Sequence, residues 1–172
     1  MVSIIEGATG TLLSAARILA AGALAVSAAA APAFAEASLT ISIADRPGAE
    51  VTLDETALLA LPQVSFVTTT IWTDGQSEFS GPSLASVLQA AGAPDGALRL
   101  VAANDYSIEM PARLVGAEAP IVALRIDGAP FSVRDKGPLW LVFPYDSDDS
   151  YRTETVYAYS VWQLTGVVVA SD

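Results

Sequence analysis

The side chains able to hold a ligand fall in three short stretches. They are Trp72 just ahead of Asp74-Gly75, the run Asn104-Asp105-Tyr106, and the cluster Arg134-Asp135-Lys136. Ionised Asp accepts hydrogen bonds, Arg and Lys only donate, and Asn does both. Trp and Tyr add flat faces on which a ring can stack. The chain contains neither cysteine nor histidine. That excludes Cys/His zinc sites, haem ligation by those residues, iron–sulfur clusters and nucleophiles paired with an imidazole. The chemistry that remains rests on carboxylates, hydroxyls, a few cations and aromatic rings.

Each stretch also has a plainer reading. Trp72 ends a predicted strand beside a polar turn, where a ligand can reach it; the alternative is a tryptophan filling the core. Asn104 and Asp105 sit at a strand–turn–strand junction, and both residue types make turns on their own account. Arg134-Asp135-Lys136 contains the only lysine of the chain, and its alternative is a solvated loop with weak surface ion pairs. Asp127 reads as a hairpin residue beside Gly128, and Trp140 and Trp162, within apolar strands, as core. Asp146-Ser147-Asp148-Asp149 superficially matches a calcium loop but lacks the mid-loop Gly and the closing Glu. It reads as a solvated face, or a patch for a partner protein.

The elements that position these residues follow from periodicity. Leu39 to Ile43 alternates apolar and polar, as a half-buried strand does, and Val51-Thr52-Leu53 returns after a turn at Arg46-Pro47-Gly48. Asp54 caps a brief helix that Pro62 stops. Val64 to Trp72 predicts a strand with Phe66, Thr68, Thr70 and Trp72 on one face. Ser83 caps a helix over Leu84 to Ala91, with Leu84, Val87 and Leu88 as its apolar stripe and Gly92 as its close. Leu98 to Ala103 and Tyr106 to Met110 predict two strands. Ile121 to Ile126 and Ala129 to Val133 predict a hairpin, Leu139 to Phe143 a strand buried on both faces, and Tyr157 to Val169 mostly strand. Many short strands with two or three short helices predict a single α+β domain.

Residues 1–35 read as an export signal. Ile18 to Ala31 is an apolar h-region, Arg17 supplies the preceding positive charge, and Ala33-Phe34-Ala35 matches a signal-peptidase site. Cleavage after Ala35 implies a periplasmic domain over residues 36–172; the alternative is an uncleaved anchor. The signal carries Arg17 and Glu6, so its loss leaves the net charge at −11. Such a surface repels nucleic acid and anionic lipid.

Three segments together resemble the sulfite-oxidase fold, a mixed-sheet domain that binds molybdopterin. The first is Thr70-Ile71-Trp72-Thr73-Asp74-Gly75 with Phe79-Ser80-Gly81-Pro82-Ser83-Leu84. The second is Asn104-Asp105-Tyr106-Ser107-Ile108-Glu109-Met110-Pro111. The third is Asp127-Gly128, the run Arg134 to Pro144, and Ser160 to Leu164. The resemblance covers about Thr70 to Val169. In the enzymes a cysteine near the counterpart of Thr70 to Gly81 holds molybdenum; here no sulfur replaces it. Their His-Gly-Phe-Pro-Leu-Arg pattern becomes Lys136-Gly137-Pro138-Leu139-Trp140, which retains a positive charge and loses the guanidinium for the cofactor phosphate.

A short, exported, cysteine-free version is similar to small periplasmic proteins of this fold that bind reduced pterins. The resemblance implies a non-catalytic pterin-binding protein, without molybdenum, that reports to the periplasmic part of a membrane cyclic di-GMP signalling enzyme. On that reading Trp72 stacks on the pterin and Asp105, or else Asp135, accepts from its amino edge. Asn104, Tyr106, Arg134 and Lys136 complete the pterin site. Two alternatives stay open: a molybdopterin-dependent oxidoreductase subunit with a non-cysteine metal ligand, and an adaptor domain whose pocket has collapsed around its tryptophans.

Overall fold

The strands are held in three sheets, described here from a computed structural model for residues 36–132, 134 and 136–170. All of these residues belong to one structural unit. The expected signal segment, and Asp135, lie outside the described residues. The architecture is α+β, mainly sheet, with three short α-helices.

The five-stranded sheet runs in the order β2-β1-β11-β5-β6. It comprises β1 (Ser38–Ile43), β2 (Glu50–Asp54), β5 (Leu98–Ala102), β6 (Ser107–Met110) and β11 (Leu164–Val169). β1 and β11 pair in parallel, and every other pair is antiparallel, so the sheet is mixed. Its period-two pattern sorts cleanly. Leu39 and Ile41 of β1, and Leu98 and Leu100 of β5, are buried, while the residues between them turn outward. A register shift between Leu164 and Gly166 bends β11 where it leaves the Trp162 segment.

The four-stranded sheet has the order β3-β4-β8-β9: β3 (Gln63–Thr69), β4 (Gln76–Pro82), β8 (Arg125–Ile126) and β9 (Ala129–Pro130). β7 (Ile121–Ala123) pairs with β10 (Trp140–Val142) in a separate ribbon whose six residues are all buried. Gly81 is required where β4 meets β7, because any Cβ there would collide with the Val122 carbonyl. β10 is fixed on its other side to the segment before β11 through Leu141 N–H to Val161 O and Leu164 N–H to Leu139 O, at 2.9 and 3.0 Å.

Local signals set the first two helices. In α1 (Glu55–Ala60) the Asp54 carboxylate accepts from Ala57 N–H, and in α2 (Leu84–Ala90) Ser83 Oγ accepts from Ser86 N–H. Asp127 serves the β8–β9 turn, its φ of 50° in the left-handed region and its carboxylate accepting from Glu78 N–H.

Three expectations need correction. β3 stops at Thr69, so Trp72 stands in a turn rather than at a strand end. The Ile121 to Ile126 run breaks at Leu124, because β7 pairs with β10 while β8 pairs with β4 and β9. Tyr157 to Val169 is not mostly strand: Glu154–Tyr159 is a helix, α3, capped by Thr153 Oγ1 accepting from Val156 N–H at 3.2 Å. Its β-branched and aromatic residues favour strand by composition. The cap and the burial of Val156 and Tyr159, one turn apart, prevail.

Candidate functional site

A cleft of about 500 Å³ opens between the Trp72 turn, the β5–β6 turn and α3. This volume falls within the range of small-molecule sites. Four aromatic side chains line it: Trp72, Tyr106, Tyr157 and Trp162. The rest of the lining is aliphatic, apart from Asn104, Ser160 and Glu154.

Trp72 is half-buried and is the hub of the aromatic set. Its ring meets Trp140, Tyr157 and Trp162 edge-on, each at a centroid distance of 5.7 Å. Tyr157 and Trp162 stand at 86° and 82° to the Trp72 plane. The turn that presents Trp72 is closed by the Thr70 hydroxyl, which accepts from Trp72 N–H at 3.0 Å and bonds Thr73 Oγ1 at 2.8 Å. Trp140 lies beneath, 1 % exposed, with its indole N–H donating to Ser160 O at 3.1 Å.

A polar staple ties this turn to the chain entering α3. Thr69 donates its N–H and its hydroxyl to the Asp146 carboxylate, both at 2.7 Å. Asp146 N–H donates to Thr68 Oγ1 at 3.0 Å. Arg152 adds a charged bond to Asp146 at 3.1 Å and donates from Nε to Tyr145 O at 2.9 Å. The hydrogen bonds from Thr69 hold the Asp146 carboxyl below its usual range. Asp148 is likewise lowered, by its bonds from Ser150, and caps the turn Asp149–Tyr151. Two carboxylates of the acidic loop therefore do local structural work.

The far end of α3 is fixed from inside. Ser160 Oγ donates to Val156 O, so the Tyr145 hydroxyl donates in turn to Ser160. Burial pushes the Tyr145 phenol up to about 12, and it stays protonated at any physiological pH.

On the opposite wall Asn104 Oδ1 accepts from Tyr106 N–H at 3.2 Å, and among the described residues its NH₂ has no acceptor, which leaves it able to donate. The Tyr106 hydroxyl reaches across to Ala158 O on α3 at 3.4 Å. Among the described residues, three of the four non-glycine positions with positive φ, namely Asp105, Lys136 and Gln163, adjoin these cleft segments.

Of the residues singled out from the sequence, Trp72, Asn104 and Tyr106 line this one cleft. Asp105 forms the exposed apex of the β5–β6 turn, with φ 63°, and does not line the cleft. Arg134 is exposed and also outside the lining. Lys136 sits behind the cleft, its Nζ 3.5 Å from Trp72 O and 5.7 Å from the Trp140 ring centre. Trp162, expected in the core, is 39 % exposed at the rim, a correction that follows from its place between α3 and β11.

Sequence reasoning missed Glu154, Tyr157 and Ala158. They sit at helix spacings of three and four and so share one face of α3. The signal that could have found them is Thr153-Glu154 read as a helix start. Among the described residues no three His, Cys, Asp or Glu side chains come together as a metal site. No protein-family model matches the chain, and no curated protein matches it.

Proposed function

We propose that the chain is a non-catalytic, exported pterin-binding protein whose domain is of the sulfite-oxidase molybdopterin-binding type. A pterin is a flat ring system with one polar edge. It needs aromatic faces for stacking, an anionic acceptor for its amino edge and a donor for its carbonyl. The observation that carries this reading is the open cleft itself, with four aromatic residues, the free Asn104 amide and a carboxylate around one space. Each stacked aromatic pair contributes roughly 0.5–1.5 kcal/mol beyond buried area.

The residues present do not fit a molybdenum centre. The chain has no cysteine to supply the soft donor, and neither Arg nor Lys lines the cleft to grip a cofactor phosphate. Sensing follows from the walls. A ligand bridging the Trp72 turn, the β5–β6 turn and α3 alters their common outer surface, which a membrane cyclic di-GMP signalling enzyme reads in the periplasm.

Calorimetric titration of the purified protein with 6-methyltetrahydropterin, alongside quenching of tryptophan fluorescence, tests this reading. Saturable binding with one site per chain supports it. A folded protein that gives neither heat nor quenching up to millimolar ligand would refute it in favour of an adaptor domain. Stoichiometric molybdenum in the purified protein would refute it in favour of an oxidoreductase subunit.

A further inference from the structure

Among the described residues Glu154 is the one carboxylate on the cleft wall, and neither Arg nor Lys accompanies it. Among the described residues it has no hydrogen-bond or ion-pair partner, so both oxygens are free to accept. The nearby cations are committed elsewhere: Arg152 to Asp146 and Asp149, Lys136 to the Trp72 carbonyl. The whole chain carries a net charge of −11.

Resting on the pterin reading, we infer that Glu154 is the ligand-recognising carboxylate and that it selects neutral or cationic, unphosphorylated heterocycles. A carboxylate accepts two parallel N–H bonds, one from an exocyclic amino group and one from the adjacent ring nitrogen. Such bonds to an ionised acceptor are about twice as strong as neutral ones. The free Asn104 amide, across the cleft, donates to a ring carbonyl. A phosphate in the same space finds no guanidinium or ammonium and meets like charge, which is unfavourable at low ionic strength. The role expected of Asp105, which stands at the apex of the β5–β6 turn and outside the cleft lining, thereby passes to a residue on α3.

The test compares dihydroneopterin with its triphosphate, which differ only in phosphorylation, by calorimetry at low ionic strength. Wild type is expected to bind the unphosphorylated compound at least tenfold more tightly. Glu154→Gln is expected to weaken that binding tenfold or more and to narrow the gap between the two ligands. Because Glu154 is exposed in the first turn of α3, the variant should remain cooperatively folded, its thermal melt lowered only slightly by the lost charge at the helix N-terminus. Equal or tighter binding of the triphosphate overturns the selectivity, and unchanged binding by Glu154→Gln overturns the residue's role, while either result leaves the pterin reading intact. Failure of wild type to bind both dihydroneopterin and 6-methyltetrahydropterin sinks the two proposals together.

Discussion

Replacing Trp162 by leucine asks whether the aromatic rim binds a ring. Trp162 is 39 % exposed and touches Trp72 through an edge contact. A tryptophan side chain buries up to about 250 Å², so about 100 Å² stands open at the rim. A flat ligand covering half of that removes about 50 Å² from water, worth roughly 1.2 kcal/mol at 25 cal/mol per Å². Leucine, with about half the reach, retains some 0.6 kcal/mol of this and loses the stacking contribution of about 0.5–1.5 kcal/mol. The expected loss is about 1–2 kcal/mol, a weakening of roughly 5- to 30-fold.

Calorimetry with 6-methyltetrahydropterin is the assay, since a variant lacking one tryptophan makes quenching amplitudes hard to compare. The thermal melt decides whether binding was lost at the rim or through the core. Trp162→Leu should keep a cooperative transition close to that of wild type. Wild-type affinity in a folded variant would show that the ring of Trp162 does not meet ligand. Collapse of the melt would show that the residue is core after all.

The other perturbations test the frame around the cleft. Trp140→Ala, at a site 1 % exposed and in contact with Phe79 and Phe131, should cost about 3–5 kcal/mol in chemical denaturation; a loss under 1 kcal/mol would contradict its place in the core. Ser83→Ala removes the cap bond to Ser86 N–H and should cost about 1 kcal/mol, with little change in ligand affinity. Asp146→Asn removes the acceptor charge that Thr69 and Arg152 share, so it should destabilise at neutral pH. The Asp146 pKa is lowered in the fold, so its contribution is present above the ordinary value of 3.8 and fades as pH falls through the lower folded value. The gap between wild type and Asp146→Asn in denaturation midpoint should therefore close in strong acid; a gap of constant size from pH 7 to pH 2 would rule out the staple as its source.

Elements with strong local signals were legible in the sequence. The alternation of Leu39 and Ile41, the caps Asp54 and Ser83, and the apolar run through β10 each report a burial or capping event that happens within a few residues. The cleft was half legible for the same reason. Trp72, Asn104 and Tyr106 sit beside turns that the sequence announces, whereas Glu154 reads as part of an acidic loop, and Tyr157 and Trp162, which follow it, read as strand. Thr153 overrides that composition only because Val156 and Tyr159 find the core. Asp105 shows the converse: its residue type fits a binding carboxylate, but a positive φ at the apex of a turn points to local geometry as the reason for it.

The cleft stays open because a ring of polar ties holds its walls apart from the core. Ala103 N–H donates to Gln163 O at 2.9 Å, and Gln163 N–H to Lys136 O at 3.0 Å. Lys136 Nζ reaches Trp72 O, Thr69 holds Asp146, and Asp146 holds Arg152 ahead of α3. All of these ties but the local Asp146–Arg152 pair join segments distant in sequence, and none relies on the rings closing upon one another. Were the aromatic residues the only glue, their exposed faces would stack together and fill the space. Instead Trp72 is met edge-on and Trp162 remains at the rim, so the cost of ordering the walls is met before a ligand arrives. That is the condition under which a small planar molecule with few polar atoms can bind usefully.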